Sequence, residues 1–148
     1  MDKAQYCHEV TAVLDSRLDQ IKGRLHDAFS RLPPEARGVT LGVHVDQDGE
    51  GFLSIRIRLD GPDAYVLNRK IAEAARLFDT MMTETGFDPP LPLMEPGRNS
   101  FPVQDALTDC AIEWLRSRWE ALEAPRIALP ITIDSIEGYG AIGSVRVS

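Results

Sequence analysis

The chain has 148 residues, 43% hydrophobic and 26% charged, a balance that supports one packed core and leaves no low-complexity tract. With 23 acidic against 16 basic side chains the net charge is -7, the wrong sign for neutralising phosphates, so nucleic acid is disfavoured; the acidity reads first as a solubility feature and otherwise as a face matched to a basic protein. The polar start Met1-Asp2-Lys3-Ala4-Gln5-Tyr6 and the lack of a run of ~18 apolar residues argue against a signal peptide or a membrane span, so a cytoplasmic address is expected.

Between Ala4 and Leu32 the apolar residues Leu14, Leu18, Ile21, Leu25, Ala28 and Leu32 recur at steps of four and three, the stripe of one long helix. Pro33-Pro34 ends it. The stripe is too short for a stable coiled coil, so it is assigned to the domain's own core, which favours a monomer. Val39, Leu41, Val43 and Val45 then alternate with polar or small residues, as do Leu53, Ile55, Ile57 and Leu59, predicting a β-hairpin turned by Asp46-Gln47-Asp48-Gly49-Glu50-Gly51.

A second helix is predicted from Asp60-Gly61-Pro62-Asp63 to Gly86, with Val66 or Leu67, Ile71, Ala74, Phe78 and Met81 inward. Five of the ten prolines fall in the stretch 87–102, which must be a loop and is a candidate binding segment or a rigid crossover. A third helix follows from about Val103 to Leu122. The alternation Leu129, Ile131, Ile133 and the apolar Ile142, Val145 and Val147 predict a second hairpin around Glu137-Gly138-Tyr139-Gly140.

The expected fold is therefore α+β: two antiparallel hairpins, about four strands in one sheet, with three helices on one face in the order α-β-β-α-α-β-β, in a single domain over 1–148. The units 4–60 and 103–148 read alike, either as an internal duplication or as two amphipathic hairpins, and the short match favours the second. Cys7 and Cys110 fall in helical segments and read as buried free thiols.

Asp46, Asp48, Glu50, Gly51, Leu53 and Ser54 follow the first nine positions of an EF-hand loop, but Ile57 stands where the bidentate Glu belongs and the flanks are strands, so a polar turn is the preferred reading. His8, His26 and His44 lack metal-ligand spacing. No nucleophile elbow, phosphate-cradling glycine loop, HExxH or GxGxxG occurs, so neither an enzyme activity nor a cofactor is expected. His44, Arg56, Arg58 and Arg146 alternate onto the polar sheet face, where guanidinium groups can hold an anion, with Asp46, Asp48 and Glu50 beside them in the turn. The alternative is a solvated face.

From Asp46-Gln47-Asp48-Gly49-Glu50-Gly51-Phe52, through Leu59-Asp60-Gly61-Pro62-Asp63-Ala64-Tyr65-Val66-Leu67-Asn68-Arg69, and on to Pro89-Pro90-Leu91-Pro92-Leu93, the chain resembles a bacterial family of small uncharacterised domains. The resemblance implies a bacterial source and carries no activity, cofactor or site. Two functions stand as expectations. The first is an interaction module of the immunity or antitoxin type, suggested by the acidic charge and the proline-rich loop. The second is a small-ligand-binding or hydrolytic domain that works from the sheet face, which requires His44, Arg56 and Arg58 to converge in one concavity.

Overall fold

The computed structural model describes residues 1–148. Helix α1 (Lys3–Ser16) is capped by Asp2, whose carboxylate accepts the Gln5 N–H at 2.8 Å. Helix α2 (Leu18–Phe29) follows after a break at Arg17, whose φ of -110° and ψ of 11° leave the helical region. The single long helix expected here is thus two. The reason is that the stripe serves two neighbours: Tyr6, Val10 and Leu14 of α1 are buried toward the C-terminal helix, while α2 packs Ile21, Leu25 and Ala28 toward the sheet edge. One straight rod cannot face both.

Strands β1 (Gly38–Val45) and β2 (Leu53–Asp60) form the expected hairpin, with Leu41 opposite Ile57 and Gly42 opposite Arg56. The predicted second helix is corrected over most of its length. Only α3 (Ala64–Lys70) is helical, and the chain then forms β3 (Arg76–Phe78), β4 (Met81–Thr83) and β5 (Gly86–Asp88). Ile71, Ala74 and Phe78 are buried as expected, but through a turn and an added edge strand. Spacing of three and four residues suits a compact turn as well as a helix.

The proline-rich stretch is a loop that rests on the first hairpin, where Met94 N–H donates to the Glu50 carbonyl at 2.8 Å. Helix α4 (Val103–Arg118) and strands β6 (Ile131–Ser135) and β7 (Val145–Arg146) complete the chain. The two hairpins share one five-stranded sheet, in the order β3-β2-β1-β6-β7, and β4 and β5 form a separate ribbon. The join is parallel, with Val39 beside Ile131 and Leu41 beside Ile133. The count is therefore four helices and seven strands, one helix and three strands beyond expectation.

Leu41, Val43, Leu53, Ile55 and Ile133 are buried in one hydrophobic core with residues of α1, α2 and α4. The alternate residues of the same strands, among them His44, Arg56 and Arg58, necessarily point to the other face. No helix is long and apolar enough to cross a membrane.

The two cysteines are not free thiols. Cys7 of α1 and Cys110 of α4 form a disulfide, with Cα atoms 5.8 Å apart. The packing of α1 on α4 sets that distance, within the range a disulfide spans, and sequence separation gave no sign of it. Asp15 reinforces the same helix pair: its carboxylate accepts from Arg118 Nε and Nη2 at 3.0 and 3.1 Å and from Trp114 Nε1 at 2.8 Å.

Candidate functional site

A cleft of about 510 Å3 opens on the polar face between β1, β2 and α3, within the size range of small-ligand sites. Its floor is Gly42, in the middle of the central strand. A Cβ built there would lie 2.8 Å from Ile136 Cγ1, so the missing side chain is what lets the β6–β7 loop fold down onto the sheet.

Alternation carries His44 from β1 and Arg56 and Arg58 from β2 into this cleft. Helix α3 forms the opposite wall because Asn68 plugs the open edge of β2. Its carboxamide accepts the Leu59 N–H at 2.8 Å and donates to the Leu59 carbonyl at 3.1 Å, acting as a short stand-in for a strand. With Asn68 fixed, Tyr65 and Arg69 line the cleft one helical turn apart, and the Arg69 guanidinium lies 5.7 Å from the centroid of the Tyr65 ring.

Arg56 and His44 each have a defined posture. Arg56 Nε donates to Ser54 Oγ at 2.9 Å, and Ser54 is fully buried, so the terminal guanidinium nitrogens of Arg56 remain for the cleft. His44 Nδ1 lies 3.1 Å from Glu137 Oε1. A carboxylate only accepts, so Nδ1 carries the hydrogen and Nε2, 3.3 Å from the site of a Gly42 Cβ, is left toward the floor. Glu137 is held through its loop, which is fastened to α4 on the other side of the sheet. Asp105 accepts the Gly140 N–H at 2.8 Å, and Asp109 Oδ1 accepts those of Ala141 and Ile142 at 3.0 Å.

The cleft gathers positive charge in an acidic chain. Six of the thirteen arginines have a carboxylate within ion-pair distance; Arg56, Arg58 and Arg69 are among the seven that have none, and these three are gathered in one cleft. The arrangement can bind an anion by charge-assisted hydrogen bonds.

Not every residue read from the sequence comes to the site. Arg146 shares the polar face with Arg58 through the row Arg58, Thr40, Thr132, Arg146, but three strand spacings, about 14 Å, separate their backbones. It does not line the cleft. Asp46, Asp48 and Glu50 lie in the turn outside it. The Asp46 carboxylate accepts the N–H groups of Glu50, Gly51 and Phe52 at 3.0, 3.3 and 3.2 Å and so builds the turn. Tyr65, Arg69 and Glu137 were missed. The i,i+4 aromatic–arginine pair was a readable signal for the first two, while nothing near Glu137 in sequence points to His44.

The chain belongs to a family of unknown function, DUF6389, whose match covers residues 1–148. No curated protein and no solved structure matches it.

Proposed function

We propose that this member of an uncharacterised family is a small-ligand-binding protein whose ligand is an oxyanion seated between β1, β2 and α3. The observation that carries the reading is the cluster Arg56, Arg58 and Arg69, without carboxylate partners in a chain of net charge -7. Three guanidinium groups brought together without counter-charge repel one another, and a bound anion relieves that repulsion while gaining hydrogen bonds. The oriented imidazole of His44 adds a fourth polar group to the same floor.

Inorganic phosphate is the direct probe. Phosphate is expected to raise the melting temperature more than sodium chloride of equal ionic strength, through preferential binding to the folded state. Arg56→Ala is expected to keep the fold and weaken phosphate binding about tenfold or more, since a hydrogen bond to a charged group contributes roughly 1.5–3 kcal/mol. Equal responses to phosphate and chloride would reject the anion site.

A second reading, an interaction module of the immunity or antitoxin type, draws on the acidic charge and on the ribbon β4–β5, where Met81 and Met82 are 69% and 52% exposed. It has the weaker support, because those groups include no cluster of fixed polar atoms, whereas the cleft has one.

A further inference from the structure

We propose that the ligand of this cleft is an aromatic phosphate monoester, with its ring against Tyr65 and its phosphate among Arg56, Arg58 and His44. The inference rests on the anion-site reading and adds the body of the ligand to its charged head. At about 510 Å3 the cleft is far larger than a bare oxyanion needs. Beyond the charged tips its walls are apolar, formed by Ala64, Ala72 and Ile136 together with the Tyr65 ring.

Tyr65 is the most exposed large hydrophobic residue of the molecule. It is 74% exposed, yet its ring is not loose, because the Arg69 guanidinium covers one side. A ring steadied on one face by a cation presents the other as a stacking platform for a planar group.

The donor set favours phosphate over carboxylate. Arg56 keeps its terminal nitrogens free because Ser54 occupies Nε. Arg58 stands two residues away on the same strand, about 7 Å along it, and His44 Nε2, which carries no hydrogen when Nδ1 does, faces the floor as an acceptor for a protonated phosphate oxygen. Donors spread over that distance can be matched by the several terminal oxygens of a phosphate, while a carboxylate presents only two.

Calorimetric titration of phenyl phosphate, inorganic phosphate and benzoate into the native chain, Tyr65→Ala and Tyr65→Phe tests the proposal. Phenyl phosphate is expected to bind the native chain at least about fivefold tighter than inorganic phosphate, the lower end of what stacking on an aromatic side chain supplies, and benzoate more weakly than either. Tyr65→Ala should remove the phenyl advantage and leave phosphate affinity in place, and Tyr65→Phe should retain it. Since the side chain is mostly in solvent, both variants should fold. Equal affinity for phenyl phosphate and phosphate, a phenyl advantage that survives Tyr65→Ala, or benzoate binding tightest would each overturn the aromatic monoester. Failure of all three anions to bind would instead reject the anion site beneath it.

Discussion

An ideal Cβ on Gly42 would lie 2.8 Å from Ile136 Cγ1, closer than real side chains approach, and 3.3 Å from His44 Nε2, tighter than most. Gly42→Ala therefore presses on both the loop that covers the floor and the imidazole. Ile136 is only half-buried and can move outward, so the fold should survive with a loss of about 1–3 kcal/mol, the usual cost of overpacking. Phosphate affinity should fall with it, and Ile136→Ala in the same chain should return part of both. Denaturant unfolding and phosphate titration on the single and double variants check this, and native phosphate affinity in Gly42→Ala would show that the floor is not where the anion sits. The same residue shows how far the site was legible. Strand alternation put His44, Arg56 and Arg58 on one face, because period two is a property of the backbone itself. Gly42 reads in the sequence only as a small residue of the alternation, since its meaning depends on Ile136, almost a hundred residues away.

Helices α1 and α4 are joined at the surface by one carboxylate. Asp15 is held below the ordinary carboxylate range chiefly by its hydrogen bonds from Arg118, with Trp114 helping and partial burial opposing. A folded-state value below the unfolded one means that Asp15 adds stability above the ordinary carboxylate pKa and that the contribution is lost as pH falls through the folded value. Asp15→Asn keeps an acceptor for Trp114 but loses the charge. It should cost no more than about 1 kcal/mol at neutral pH, because the pair is solvent-screened, and should flatten the acid side of the stability profile below about pH 4. Urea unfolding across the acid range checks it; an acid limb as steep as the native one would rule out this pair as its source. At the scale of elements, sequence periodicity located β1, β2, α4 and β6, where a run of one period faces one neighbour. It failed at Arg17, where one stripe turns to a second neighbour, and between Ile71 and Gly86. There Ile71, Ala74 and Phe78 are buried as expected, but short strands and turns supply them and Met81, expected inward, is 69% exposed, because three or four apolar residues cannot distinguish a helix from a compact chain reversal.

For the molecule as a whole, the N-terminal half is bound to the C-terminal half at two levels. Within the sheet, β1 pairs with β2 on one side and β6 on the other, so its central position joins both hairpins. Beneath the sheet, the Cys7–Cys110 disulfide closes a loop across a sequence separation of 103. Constraining an unfolded loop of that length corresponds to about 4–5 kcal/mol in the chain-entropy description, a large part of the stability of a domain this size. Reduction, or Cys7→Ser with Cys110→Ser, should therefore lower the denaturation midpoint substantially. Phosphate affinity should change little, because the bridge lies on the helical side and the cleft on the opposite face. The two measurements separate a structural staple from one that shapes the site: a loss of phosphate binding at denaturant concentrations where the reduced protein is still folded would mean that α1 and α4 transmit to the cleft. The route available is the fastening of the β6–β7 loop to Asp105 and Asp109 of α4, which sets the position of Glu137 behind His44. An unchanged midpoint would show instead that the helix packing holds without the bridge.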